Sequence, residues 1–343
     1  MELFKEQKNS ITAPRVTQTS ILSTNRSRIK SLSLLHPEKT VVIVNPSSGN
    51  GSTGREWHRI QAMARKYLGE FETCITSGPG DATYLTRRKL LDGCDRVVCV
   101  GGDGTLNEVV NGFMDESGPI RPEALLGFLP SGTGCDFCKT ICKNTNLENS
   151  LNMIRAGHFR AIDLGRLQYE DHENRPCIRY FHNITSFGLG GEVVDRVNHT
   201  SKACGPFLSF IWATLVGIFV YDRKHVRFHV DDGDPQDVTI LNIAVANGQY
   251  HGGGMQVAPD ARVDDGLFHI TVIGNMNLPE IFWHLPKLYN GKIKTIKKVF
   301  TLTGRKVVAA SEQKVLLDVD GEQPGRLPVE IEIVPAAIRM IMS

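Results

Sequence analysis

Residues 96–113 read RVVCVGGDGTLNEVVNGF. The run begins as an apolar strand and turns on Gly101, Gly102 and Gly104. It continues with Leu106, Val109, Val110 and Phe113 at the spacing of one helical face. Strand, glycine turn and helix in that order is the unit of a doubly wound α/β sheet. The turn presents backbone N–H groups at the positive end of a helix dipole, where phosphate binds. Thr105 and Glu108 have capping-box spacing, which predicts that the helix begins at the turn. Asp103 is the anomaly, because a carboxylate beside a phosphate is repelled unless a cation stands between them. Mg²⁺, which keeps several of its waters, resolves that conflict in nucleotide kinases. The plain alternative is a tight turn in which glycine only avoids strain.

Outward from this stretch the pattern alternates. TVVIVNP (40–46), FETCITS (71–77), LLGFLP (125–130) and FRAIDLG (159–165) read as strands. REWHRIQAMARKYL (55–68) and DATYLTRRKLLDG (81–93) read as helices, the second with Asp81 as N-cap, and a further helix is predicted near 136–156. The runs VVIV, VVCV and LLGF are apolar throughout, as strands are when helices cover both faces. After Arg166 the rhythm changes. KHVRFHV, DVTILNIAVANG, LFHITVIG, VFTLTG, KVVAAS, KVLLDVDG and VEIEIV are strands separated by Gly, Pro and Asp turns. Helical stretches near 191–221 and 278–290 interrupt them, so this half reads as an antiparallel β domain.

The expected architecture is an α/β N-terminal domain with a mostly parallel sheet, an antiparallel β-sandwich C-terminal domain, and a cleft between them. Its boundaries are 39–165 and 166–334, with a disordered tail at 1–38 and a C-terminal segment at 335–343 that can return to the first domain. The chain has 343 residues, enough for two such domains. At 41% hydrophobic and 22% charged it reads as soluble and globular, and a net charge of +2 makes no demand for nucleic acid. Eight cysteines without a secretory signal suit a reducing cytoplasm. From Gln7 to Pro37 there is no acid, a composition shared by disordered tails and organellar transit peptides. CGPFLSFIWATLVGIFVY (204–221) lacks charge, but Gly205 and Pro206 shorten it. It is expected to form a buried helix or to line a greasy cleft rather than to span a bilayer.

NPSSG (45–49), GGDGTLNEVVNG (101–112), PSGTGCDF (130–137), NGQYHGGGMQVAPDARVDDGL (247–267) and LDVDGE (317–322), in this order, resemble the diacylglycerol kinase catalytic domain family of lipid kinases. The resemblance covers about residues 40–343. GGDGT alone is less specific, since NAD kinases and phosphofructokinases share a related loop. The resemblance implies ATP held by Gly101, Gly102, Asp103, Gly104, Thr105, Leu106 and Asn107, with Asn45, Thr76, Gly132 and Thr133 and with Lys202 near the cleft. It implies Mg²⁺ within an acidic network of Asp103, Asp136 and Asp163, and a second, structural Mg²⁺ on Asp265 and the carbonyls of Arg262 and Leu267. It implies Asp320 as general base, with Glu322 beside it. The substrate implied is a lipid hydroxyl, diacylglycerol first and a sphingoid base or ceramide second. The enzyme would then be cytoplasmic and peripherally associated with a membrane, a homodimer being left open. Mechanistically, a carboxylate takes the hydroxyl proton as the phosphoryl group arrives, while positioning supplies most of the rate.

The chain departs from that pattern in three places. Asn50 stands where relatives carry a basic residue, Cys135 replaces the asparagine before Asp136, and His269 replaces the acid after DDGL. Other readings compete. GNGSTG (49–54) fits G-x-G-x-x-G, as in an NAD-dependent oxidoreductase, but four residues separate it from its strand. Cys135, Cys138 and Cys142 have the spacing of a metal site and also that of one helical face, where cysteine packs as a small core residue. HGGGM (251–255) is like a lipase oxyanion loop, yet no G-x-S-x-G accompanies it, and close backbone approach accounts for it.

Overall fold

The computed structural model describes residues 39–132, 135–142, 146–199 and 221–343. Thr133, Lys202 and nearly all of the apolar 204–221 stretch lie outside the described residues.

Every residue of β1 (Thr40–Val44) is buried, and alternate side chains on a strand face opposite ways. Val41 and Ile43 enter one core with Ala82, Leu106 and Val109, while Val42 and Val44 enter another with Trp57, Ile60 and Leu151. That is why the strand is apolar at every position. Around it lie α1 (Ser52–Leu68), β2 (Glu72–Ile75), α2 (Asp81–Leu91), β3 (Arg96–Gly101) and α3 (Asp103–Phe113). A short hairpin of β4 (Met114–Asp115) and β5 (Gly118–Pro119), then β6 (Leu125–Pro130), α4 (Asp136–Ile141) and α5 (Leu147–Ala156), complete this half. The strands run parallel in the order β2–β1–β3–β6.

Three local expectations change. The helix expected near 136–156 is two helices, α4 and α5. Its cysteines pack as core: Cys138 is buried, and Cys135 and Cys142 lie half-buried against the same cluster. Asp81 does not cap α2, since the N-cap is Gly80 and the Asp81 carboxylate instead accepts from Ser77 and Gly78. The capping box at Thr105 and Glu108 is not formed. Glu108 reaches across to accept from Gly80 N at 2.9 Å and Ala82 N at 3.0 Å, capping the neighbouring helix.

The second half contains β7 (Phe159–Glu170), β8 (Pro176–Phe181), β9 (Ile184–Gly188), α6 (Leu189–His199), β10 (Lys224–Val230) and β11 (Gln236–Ala246). The hairpin β12 (Tyr250–His251) and β13 (Met255–Gln256) follows, then β14 (Phe268–Gly274) and α7 (Leu278–Tyr289). The chain ends with β15 (Val299–Gly304), β16 (Lys306–Ala310), β17 (Leu317–Val319) and β18 (Arg326–Ile341). KHVRFHV shows the logic of this half: Val226 and Phe228 point inward and Arg227 outward, as in an antiparallel strand with one wet face. The interior gathers Phe181, Phe187, Phe228, Phe268 and Val329. β8 and β9 are strands the sequence pattern did not reveal.

β18 joins the halves. It lies antiparallel to β7 and β16, and through Arg339 and Met340 it pairs in parallel with β6. Its register breaks between Val334 and Ile338, where Ala336 has φ of 50°. Asp163 pins that break: one oxygen accepts from Ala336 N and the other from Gly266 N, both at 2.7 Å. Asp163→Ala is therefore expected to lower unfolding stability by about 1–3 kcal/mol, read by urea denaturation, because the backbone N–H groups that fix the break lose a shared, buried acceptor.

Candidate active site

The carboxyl ends of β1, β3 and β6 bring three turns together. Ser131 N donates to Gly101 O at 2.8 Å and Asn45 N to Val100 O at 3.0 Å. A Cβ on Gly132 would sit 3.0 Å from the Gly102 Cα, so the two glycine loops touch through backbone. A Cβ on Gly101 would sit 2.6 Å from Thr105. Thr105 Oγ1 accepts from Asn45 Nδ2 at 2.9 Å, which ties the first turn to the second. The turns line a cleft of about 470 Å³ whose walls include Asn45, Thr76, Gly102, Asp103, Thr105 and Glu322.

Three residues of the GGDGTLN loop do not line this cleft, and Gly101, the first of them, is buried beside Thr105. Leu106 is fully enclosed in the core. The Asn107 amide is consumed internally: Nδ2 donates to Asp320 Oδ2 at 2.8 Å and to Tyr180 O at 3.0 Å, and Oδ1 accepts from Arg179 at 2.7 Å. Asn107 thus connects the loop to the DGE turn.

Asp103 and Asp136 are neighbours. Asp103 Oδ2 accepts from Asp136 N at 2.8 Å, while Oδ1 is buried with no hydrogen-bond partner among the described residues. Burial raises the Asp103 pKa, the Asp136 N–H only partly opposing it. Asp136 is held by Lys139 Nζ at 2.7 Å and by Gly253 N at 2.7 Å. Asp163 is not in this cluster: both its oxygens serve the β18 break, and the charges acting on it are Asp264 and Asp265. Among the described residues no group of three or more His, Cys, Asp or Glu converges on a common point. A cation here would accordingly be bound largely through phosphate and water. Asp265 Oδ1 accepts from Leu267 N at 3.1 Å, and Oδ2 lies 3.4 Å from His269. Arg262 reaches Asp264 at 3.7 Å.

In the DGE turn the Asp320 side chain is wholly enclosed. It accepts from the backbone N of His182, Asn183 and Ile184 at 3.0, 3.2 and 2.9 Å, and from Asn107, with His182 Nδ1 at 2.8 Å. Burial alone would raise its pKa, but the His182 imidazole and these donors outweigh that and hold it below the ordinary value. Asp320 and Gly321 both have positive φ, a strained turn kept in place by that cradle. Glu322, by contrast, is partly exposed. Arg179 holds its Oε2 at 2.5 Å, and Oε1 lies against Gly104, within 3.5 Å of where a Cβ there would be. A second cavity of about 280 Å³ is lined by Asp103, Gly104, Asp136, Asn183, His251, Asp320 and Glu322. The two cavities therefore share Asp103, Gly104 and Glu322.

Sequence reasoning missed His182, Arg179, Lys139, Asp318 and His251. The glycines of HGGGM form the β12–β13 turn that brings Gly253 N to Asp136 and His251 to the second cavity. His251 Nε2 lies 3.0 Å from the buried Asp318 carboxylate. Burial opposes protonation, but Asp318 outweighs it and lifts the His251 pKa from 6.5 to about 9. A raised folded pKa stabilises below the unfolded value and ceases to do so above the folded one. Stability should thus decline between pH 6.5 and about 9, by on the order of 2 kcal/mol. Thermal melts across that range check this, and His251→Asn should flatten the decline.

Comparison with known proteins places this geometry. Residues 39–167 match the diacylglycerol kinase catalytic domain, and residues 183–342 match the YegS C-terminal NAD kinase beta sandwich-like domain. Diacylglycerol kinases of Staphylococcus carnosus and Staphylococcus saprophyticus are each 29% identical over 84% of this chain, covering 89% and 90% of those proteins. A crystal structure of a diacylglycerol kinase from Bacillus anthracis superposes with a TM-score of 0.65 at 20% identity. It covers 89% of this chain and 97% of that one. A second Bacillus anthracis structure reaches 0.71 at 24% identity, with the same coverage. Yeast NADH kinase, solved with NADH, shares the fold at a TM-score of 0.52 and 12% identity, over 90% of this chain and 84% of that one. Two domain matches in series, on the residues that build both walls of the cleft, make residues 39–167 similar to the diacylglycerol kinase catalytic domain and residues 183–342 similar to the C-terminal domain that accompanies it.

Proposed function

We propose that this protein transfers the γ-phosphate of ATP to a lipid hydroxyl, diacylglycerol giving phosphatidate. The observation that supports this is the contact of the DGE turn with the glycine loop. Asn107 bonds Asp320 and Gly104 meets Glu322, so a phosphate cradle and a carboxylate share one wall. In this reading residues 39–165 carry the nucleotide, through Asn45, Thr76, Thr105 and the loops at Gly102 and Gly132. Residues 166–334 carry the acceptor in the second cavity. No helix among the described residues is long and apolar enough to cross a membrane, which suits an enzyme that meets its lipid from outside the bilayer.

Mg²⁺ fits at Asp103, whose buried Oδ1 has no donor among the described residues, with Asp136 adjoining. When bound, it neutralises phosphate charge. A second, structural Mg²⁺ would fall on Asp265 and the carbonyls of Arg262 and Leu267, where each Asp265 oxygen has a single neighbour. Glu322 is the carboxylate placed to receive the hydroxyl proton, because it faces both cavities and Arg179 fixes one of its oxygens. Asp320, saturated with donors, positions the turn. Glu322→Gln is expected to lower kcat by about 10²-fold with little change in ATP affinity. Incubation with labelled ATP and a panel of diacylglycerol, sphingosine, ceramide and NAD tests the reading. Label in phosphatidate supports it, and label only in NAD, or in no product, refutes it.

A further inference from the structure

The helix α7 is apolar on both faces, which is unusual for an element at a protein surface. Its inner stripe, Leu278, Ile281 and Leu288, packs against Met276, Tyr221 and Met255. Its outer stripe runs Pro279, Phe282, Trp283, Pro286 and Tyr289, and each of these residues is exposed. Trp283 is 80% exposed, Tyr289 52% and Phe282 40%, and Phe300 on β15 adds another aromatic ring at 40%. From 278 to 300 the chain carries five lysines (287, 292, 294, 297 and 298) and one acid, Glu280. Lys294 pairs with Asp260 and Lys298 with Glu280. Lys287, Lys292 and Lys297 have no carboxylate partner among the described residues.

We propose that the outer face of α7, with the lysines that follow it, docks this protein on an anionic lipid bilayer. The inference deepens the lipid-kinase reading and rests on it for the identity of the partner. Aromatic rings with a polar edge, ringed by cations, match the interfacial zone of a membrane whose headgroups are negative. A second copy of this chain is a poorer occupant, because a two-fold contact through this face would set lysines against lysines. Position favours the bilayer as well. α7 packs against β13 of the hairpin whose His251 lines the acceptor cavity. The uncharged 204–221 stretch ends at Tyr221, in the cluster that holds Ile281. Docking here brings the acceptor side of the cleft to the lipid.

The test is co-sedimentation of the full chain with vesicles of phosphatidylcholine, with and without about one-third phosphatidylserine. The wild type is expected to bind only the anionic vesicles. Trp283→Ala with Tyr289→Ala should weaken binding about tenfold. Lys292→Gln and Lys297→Gln should each weaken it about fivefold and reduce its salt dependence. All four positions are exposed, so thermal melts should match the wild type, as should turnover of a short-chain, monomeric diacylglycerol. Vesicle binding is read without catalysis, so a chain that phosphorylates no lipid refutes the function while leaving the docking result standing. The docking proposal is overturned if the wild type ignores anionic vesicles or if the variants bind them equally well. It is also overturned if the substitutions only dissociate a dimer.

Discussion

Asp320→Asn is expected to abolish phosphoryl transfer, lowering kcat by at least ~10³-fold, and to lower Tm by roughly 5–10 °C. The two effects have one cause. Three backbone N–H groups, the Asn107 amide and the His182 imidazole all face the carboxylate, and every one of the hydrogen bonds is donated to it. An asparagine can be turned to satisfy only one side of that cradle, and its NH₂ then meets donors on the other. The turn carrying Glu322 loses its anchor, and the positive φ at Asp320 is no longer held. The folded pKa is lowered, so the carboxylate stabilises the protein above its unfolded value and ceases to as pH falls through the folded one. The Tm difference between wild type and variant should accordingly shrink in acid. A variant that melts like the wild type but is inactive would make Asp320 the proton acceptor after all. One that retains full turnover would remove the DGE turn from the site.

The first half of the molecule was legible because its strands are buried on both faces. VVIV and VVCV carry no alternation to misread, and the helices between them have clear apolar stripes. The glycine loops were legible for the same local reason, since a strand must turn sharply into a helix there. What could not be read is the set of partners of each polar group, because those partners are distant in sequence. Glu108 sits where a capping box would place it, yet it caps a helix whose N-cap, Gly80, lies 28 residues earlier. Asn107 belongs to the nucleotide motif by position and to Asp320, 213 residues on, by contact.

The acceptor side was harder to read. RYFHNITS carries the cradle for Asp320, but its polar residues mask β8 and β9 from any hydrophobic pattern. Several are tolerated in the interior because they find distant partners, as Thr185 does with Asp318 O and Asn183 with Tyr250 O. His251 and Asp318 are joined by the fold of the HGGGM turn, which local sequence shows only as a cluster of glycines.

Asp103→Asn is expected to lower metal-dependent turnover by at least ~10³-fold while leaving the metal-free protein as stable as the wild type or more so. The same chemical change as at Asp320 thus moves stability the opposite way, because the surroundings are opposite. Asp103 receives one N–H, from Asp136, and an asparagine oxygen can accept that bond equally well. Its other oxygen is buried with no donor among the described residues, and burial raises the pKa, so ionisation there is costly to the folded state. A raised folded pKa means that this cost is absent below the unfolded value and grows as pH climbs through the folded one. The Tm advantage of Asp103→Asn, measured in chelator, should therefore be larger at neutral pH than in acid. A bound cation would repay the cost, so Mg²⁺ with ADP should raise the Tm of the wild type and not that of the variant. If both proteins respond alike, the ion is held elsewhere, and Asp103 shapes the loop without serving the phosphate.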